Sequence, residues 1–417
     1  MHDAQLGERR LLPKSRLDDL LRLLVNDGFE VIGPRIEQGA IVYGPVQASS
    51  DLPIGWKDQQ APGSYRLELR NDDAWFGFAV GPHSWKKYLF PATLRLWKAE
   101  RTESGFAIHN DDPDPPRRAF LGIRSCELHA LAIQDRVFIG RDGRYTDPHY
   151  AAARERLFLI AVECEHPADT CFCASMGTGP AVDSERIPLI ASKHDDAAKQ
   201  TTHGRMALPL AAPKSHDFGY AVCDLVLTEL DDGFVVRALS PAGVRMLDRL
   251  RLVEAASDQV VESQRRVETA AHSMGRTLDV QGIQTLLHEN QEHVRWDHVA
   301  NRCLACANCT LVCPTCFCSS TEDVNDLTLE SAERVRHWDS CFNPEFGRVH
   351  GGNFRPSTRA RYRQWLTHKF ASWFDQFDVS GCVGCGRCIT WCPVGIDVTE
   401  EIAAIRGAAG RTEDNNP

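Results

Sequence analysis

The sequence predicts an α+β chain: an N-terminal α/β domain, a helical connector and a C-terminal module built on cysteine. Three observations predict it. Short apolar strand-like runs alternate with helical periodicity through the first 240 residues. From Pro241 the pattern changes to helix with mixed charge. The 16 cysteines of the 417-residue chain are bunched, with none before position 126 and eleven between 303 and 392. The implied layout is a domain at 1–240, a connector at 241–300 and a cysteine module at 301–417.

The elements follow in order. Residues 15–25 carry amphipathic helical periodicity with Ser15 placed as N-cap. Strand-like runs at 29–32, 40–43, 65–69 and 74–80 are punctuated by Gly33-Pro34, Gly44-Pro45 and Gly81-Pro82. Residues 109–118 read as an exposed loop. A buried strand at 119–123 runs into a helix near 127–137, and a second apolar strand at 157–162 ends at Glu163-Cys164. Cys126 and Cys164 thus fall at or just after strand ends, where α/β folds place functional loops. Residues 183–217 read as a polar excursion, and strands at 220–229 and 234–238 close the domain. Helical periodicity covers 242–274 and 280–300, and the tail from Gly410 is polar.

Composition removes several function classes. Apolar residues make up 43% and charged residues 25%, which is ordinary globular usage. With 47 basic against 57 acidic residues the net charge is −10, so nucleic acid is not the expected partner. No run approaches the ~18 apolar residues of a membrane span. Met1–Arg10 has no secretory apolar region, and the Arg9-Arg10 pair is cut off by Pro13-Lys14. A cytoplasmic location is expected, where cysteines serve as ligands or redox groups rather than disulfides.

The cysteine spacing carries the chemistry. Cys303, Cys306, Cys309 and Cys313 follow the pattern C-x2-C-x2-C-x3-C, closed by Pro314; Cys382, Cys385, Cys388 and Cys392 repeat it, closed by Pro393. Two-residue gaps in a tight loop aim three thiolates at one iron–sulfur cubane. The fourth cysteine, starting a new direction before proline, reaches the neighbouring cubane. The module is therefore expected to be a two-cluster ferredoxin-like domain with two [4Fe–4S] clusters. Cluster one would take Cys303, Cys306, Cys309 and Cys392; cluster two would take Cys382, Cys385, Cys388 and Cys313. Zinc sites instead use paired C-x2-C motifs a dozen or more residues apart. Gly381, Gly384 and Gly386 give the second loop backbone freedom beside the sulfurs.

The 68 residues between the runs, 314–381, exceed what a compact ferredoxin needs, and an insertion is placed at about 319–378. Its mixture of Arg348, Arg355, Arg359, Arg361, Tyr362, Arg363, Trp365, His368, Lys369 and Phe370 reads as a subunit-docking face or a cover over a cluster edge, in preference to a nucleic-acid surface. Cys316, Cys318 and Cys341 are assigned to packing or shielding, and Cys223 to the core. Cys126, Cys164, Cys171 and Cys173 form a candidate third [4Fe–4S] site; buried free cysteine and zinc are the competing readings. The His288–His293 segment has Glu at 289 and 292, where zinc-peptidase helices need His. No G-x-G-x-x-G follows a strand and no G-x-S-x-G is present, so no catalytic residue is assigned.

These residues resemble a known family. Pro53-Ile54-Gly55, the 62–67 segment, Gly81-Pro82, Ser84-Trp85-Lys86, the 122–128 segment, Cys171–Pro180, Trp338–Cys341, Asn353-Phe354-Arg355 and both cysteine runs are similar to the beta subunit of cytoplasmic sulfhydrogenase-type NiFe hydrogenases. The same stretches resemble its close relative, the iron–sulfur subunit of anaerobic sulfite reductase. The family often has Cys-Asp where this chain has Cys126-Glu127. The resemblance implies a non-catalytic electron-transfer subunit working between two partners. One would be the small and large subunits of a NiFe hydrogenase, or a sulfite reductase catalytic subunit; the other would be an NAD(P)H-oxidising flavoprotein subunit. A self-contained flavin-binding iron–sulfur oxidoreductase and an iron–sulfur sensor are the competing classes.

Overall fold

The computed structural model describes residues 5–110, 113–140, 146–183, 222–328 and 330–409. The first element is β1 (Arg9–Pro13), followed by α1 (Leu17–Asn26), β2 (Glu30–Glu37), β3 (Ala40–Pro45), β4 (Trp56–Ala61) and β5 (Ser64–Leu69). Next come α2 (Lys86–Leu89), β6 (Thr93–Thr102), β7 (Gly105–Asn110), β8 (Arg118–Ile123), α3 (Ser125–Phe138), α4 (Pro148–Glu155), β9 (Leu157–Val162) and α5 (Cys173–Met176). β10 (Leu225–Glu229), β11 (Gly233–Ala238), α6 (Pro241–Leu250) and β12 (Val253–Glu254) complete the main sheet.

That sheet has eight strands in the order β12-β1-β11-β10-β9-β8-β2-β3. Its centre, β2-β8-β9-β10, is parallel, and the flanking pairs are antiparallel. β8, β9 and β10 are almost continuously buried, as strands covered on both faces must be. The side chains alternate as the pleat requires. Ala119, Leu121, Ile160 and Leu225 face α1 and α6, while Phe120, Leu159, Ala161 and Val226 face α3 and α4.

The remaining helices are α7 (Ser257–His272), α8 (Ile283–Glu289), α9 (Arg295–Ala300) and α10 (Asn308–Leu311). They lead to β13 (Ser319–Asn325), β14 (Ser331–Trp338) and the short pair β15 (Arg348–Val349) and β16 (Gly352–Asn353). α11 (Thr358–Thr367), α12 (Trp373–Phe377), α13 (Arg387–Thr390) and α14 (Val398–Ala409) finish the chain. A separate core of Trp296, Val299, Tyr362, Trp365, Phe370, Ile389 and Ile402 encloses the cysteine loops.

The N-terminal and C-terminal parts are interleaved. A second sheet, β13-β14-β6-β7, pairs Arg334 of β14 with Trp97 of β6. The β4–β5 hairpin also reaches across: the Gly63 N–H donates to the Ile389 carbonyl at 3.1 Å, and Tyr65 stacks on Trp391 at 5.1 Å. Such long-range pairing is invisible to local periodicity.

Three local expectations are corrected. Residues 74–80 are not a strand. The Trp75 and Phe76 N–H groups donate to the Glu229 carboxylate at 2.7 and 2.9 Å, and the Ala79 N–H to Asp58 at 2.7 Å. Side chains, not a neighbouring strand, satisfy this backbone. Ser15 does not cap α1; it lies in a single turn over Lys14–Arg16, and α1 begins at Leu17. His109 and Asn110, expected in a loop, pair with Lys98 and Trp97 in β7. The polar excursion from 184 onward, the first residues of the 220–229 run and the tail from 410 lie outside the described residues. Among the described residues no helix is long and apolar enough to cross a membrane.

Candidate iron–sulfur site

The two cysteine runs fold into matching loops. Ala305 and Ala307 adopt left-handed backbone at φ 51° and 68°; Gly384 and Gly386, two and four residues into the second run, do the same at 65° and 74°. This conformation turns amides toward sulfur. The Ala305 N–H donates to Cys303 Sγ and the Gly384 N–H to Cys382 Sγ, each at 3.4 Å. α10 and α13 start directly after the second left-handed residue of their loops and carry Cys309 and Cys388.

The fourth cysteines are exchanged between the loops. Cys392 stands with Cys303, Cys306 and Cys309 around one pocket, while Cys313 stands with Cys382, Cys385 and Cys388. Cys126, Cys164, Cys171 and Cys173 line a second pocket, and Cys385 forms part of its wall. Cys388 likewise reaches the first pocket, so the second group of thiols adjoins both of the others. Among the described residues no group of three or more Cys, His, Asp and Glu converges tightly enough to hold a single metal ion. The thiols of the first and third groups are instead spread around pocket walls.

Most of these thiols are buried, and burial opposes ionisation. It pushes Cys309, Cys388, Cys126 and Cys171 well above the usual thiol range, and Cys382 up to about 12. Cys313 is the exception. The Cys316 thiol, Lys369 and Thr315 all favour its thiolate, which is held well below the usual range. A metal-bound thiol is deprotonated outright, so a cationic iron core would supply the charge that burial withholds.

The pockets also hold donors with no protein partner. Tyr362 Oη and Trp365 Nε1 are buried without a hydrogen bond, and both residues line the pocket of Cys303, Cys306, Cys309 and Cys392. Ser125 Oγ is likewise unpartnered in the pocket of Cys126, Cys164, Cys171 and Cys173. Soft thiolates, N–H donors to sulfur and orphaned O–H and N–H groups form a donor set that fits an iron–sulfur cluster. Tyr362, Trp365, Lys369 and Phe370 are buried, so of the two roles read from the basic–aromatic composition, docking face or cover, this part of the insertion takes that of cover. Arg359 and Arg363 are tied to Glu292 at 2.9 and 2.8 Å.

Three residues escaped the reading of sequence. Glu127 is buried and accepts from Arg387 at 2.5 Å, Tyr43 at 2.7 Å and Trp85 at 3.0 Å. Arg387 is fully buried between Cys385 and Cys388, so this ion pair joins α3 to the second cysteine loop. Lys369, which composition places among the surface cations, donates to Cys313 Sγ at 3.3 Å. Of the other thiols, Cys316 lies beside Cys313 and Cys318 beside Cys341. Cys223 is fully buried.

Comparison with known proteins gives two matches. Residues 302–396 match the 4Fe-4S dicluster domain family, so the C-terminal part is a protein module of the iron–sulfur electron-transfer class. Across 380 residues, 89% of this chain and 94% of the relative, the sequence is 28% identical to sulfhydrogenase 2 subunit beta of Pyrococcus furiosus. Over most of its length the chain is thus similar to a sulfhydrogenase beta subunit, as its motifs imply. No solved structure matches.

Proposed function

We propose that this chain is the iron–sulfur relay subunit of a hydrogenase complex, passing single electrons between a NiFe catalytic unit and an NAD(P)H-oxidising flavoprotein subunit. The exchange of Cys313 and Cys392 between the two loops carries this reading. It gives each ferredoxin-type site four thiols and sets the two sites side by side. Cys303, Cys306, Cys309 and Cys392 hold one [4Fe–4S] cluster, and Cys313, Cys382, Cys385 and Cys388 hold another. Cys126, Cys164, Cys171 and Cys173 hold a third. Such clusters supply reversible one-electron reduction.

The protein's own contribution is arrangement and tuning. Cys306 is exposed, most of the second set is buried, and the third set abuts the second through the Phe172 N–H to Gly384 carbonyl bond at 2.8 Å. The second set is the middle one, with Cys388 at the pocket of the first and Cys385 at the pocket of the third. The name of the Pyrococcus relative supports a hydrogenase as the complex.

Anaerobic purification with iron and acid-labile sulfide analysis tests the reading. About twelve iron atoms per chain are expected, four for each cluster, with EPR signals after dithionite. A chain that is colourless, free of sulfide and EPR-silent after reduction sinks it.

A further inference from the structure

Lys369 lies in a π-helical turn, His368–Ser372, between α11 and α12. Such wide turns recur at functional sites. The residue is 3% exposed. Its Nζ donates to Cys313 Sγ at 3.3 Å, Thr315 Oγ1 at 3.0 Å and the Gly381 carbonyl at 3.0 Å. Among the described residues, no carboxylate pairs with it. A buried ammonium without a counter-charge is strongly unfavourable, so the site calls for an anion, and the anion in contact is sulfur.

Among the described residues, no hydrogen bond joins a cationic side chain to sulfur in the other two sets. Arg124, buried at the pocket of Cys126, Cys164, Cys171 and Cys173, spends its guanidinium on the Val162, Glu163, Phe76 and Phe78 carbonyls. Arg361, near Cys303, spends its Nη1 on the Arg355 and Pro356 carbonyls at 3.1 and 2.9 Å. The second cation of the Lys369 set itself, Arg387 beside Cys385, is neutralised by Glu127. A second buried lysine, Lys86, donates to backbone carbonyls on both sides of Cys313. Its Nζ lies 3.2 Å from the Cys316 carbonyl, 3.4 Å from the Leu311 carbonyl and 4.0 Å from the Trp338 ring centre, so its hydrogen bonds go to backbone and not to sulfur.

We propose that Lys369 is a positioning residue that sets the reduction potential of the Cys313–Cys382–Cys385–Cys388 cluster, holding it above that of the Cys303–Cys306–Cys309–Cys392 cluster. The inference rests on the relay reading. Reduction adds one electron and makes or breaks no bond, and the electron comes from a neighbouring cluster or, in the test, from dithionite. A fixed cation donating N–H to a ligand sulfur stabilises the more negative, reduced form. The middle site is then where an electron rests between its entry and its exit.

The experiment uses the cluster-loaded full chain, titrated with dithionite and followed by EPR. In Lys369→Gln, the reduction equilibrium of one ferredoxin-type cluster should fall at least tenfold, which is 59 mV for a one-electron couple. Iron content and the other cluster's midpoint should not move, and Lys369→Arg should restore the original midpoint. An unchanged midpoint in an iron-replete Lys369→Gln protein, or equal shifts in the Gln and Arg variants, overturns the proposal. Pulsed EPR on the unmodified chain labelled with 15N-lysine decides the matter without a variant. A lysine 15N coupling is expected at the higher-potential cluster, and its absence there overturns the proposal. Missing iron in the unmodified chain would instead sink the relay reading itself.

Discussion

Gly384 lies against the backbone of Cys173. A methyl group built on Gly384 would sit 2.7 Å from both the Cys173 Cα and its amide nitrogen, and one on Gly386 would sit 2.5 Å from the Thr170 carbonyl oxygen. The second cysteine loop therefore presses, backbone to backbone, on the Cys171-Phe172-Cys173 loop, and two thiol sets from distant parts of the chain become neighbours.

Gly384→Ala should be costly for two reasons. Left-handed backbone penalises a side chain by about 1–2 kcal/mol, and overpacking against Cys173 adds about 1–3 kcal/mol. Ala305→Gly, at the matching place in the first loop, should change stability by less than about 1 kcal/mol, because relief of strain offsets the greater freedom of the unfolded chain. Denaturant unfolding of the two variants checks the contrast; equal effects would refute the asymmetry.

Glu127→Gln leaves the fully buried Arg387 with no counter-charge. Breaking a buried pair in this way costs about 3–5 kcal/mol. The loss should appear as a lower midpoint of unfolding with an unchanged denaturant slope. Glu127→Asp keeps the charge on a shorter side chain and should fall between the Gln variant and the unmodified chain.

Replacing Cys171 and Cys173 together by Ser should remove about four iron atoms per chain and spare the EPR signals of the ferredoxin-type pair. Iron analysis on the purified protein is sufficient. Unchanged iron would show that these thiols are not ligands.

Trp365 covers the pocket of Cys303, Cys306, Cys309 and Cys392 and is 4% exposed. Trp365→Ala should destabilise the chain by about 3–5 kcal/mol through the cavity it leaves. It should also hasten iron removal by a chelator from this site before the others. A chelation rate equal to that of the unmodified chain would show that the indole is not the cover.

Local sequence determined a good deal of this protein. Spacing alone led to both cysteine loops and the exchange of Cys313 and Cys392, because three thiolates at two-residue gaps have few ways to surround one cubane. Near-continuous apolar runs marked β8 and β9, because only a sheet covered on both faces buries every residue. Tertiary structure decided the rest. Residues 74–80 look like a strand, but Glu229 and Asp58, from elsewhere in the chain, take up their N–H groups. Tyr362, Trp365 and Lys369 look like a surface patch because composition does not reveal which side of a helix is enclosed. The pairing of β14 with β6, the Glu127–Arg387 link and the placement of Lys369 on Cys313 all join residues dozens to hundreds of positions apart. Those contacts exist only once the chain has closed on itself, so no local pattern of residues could encode them visibly.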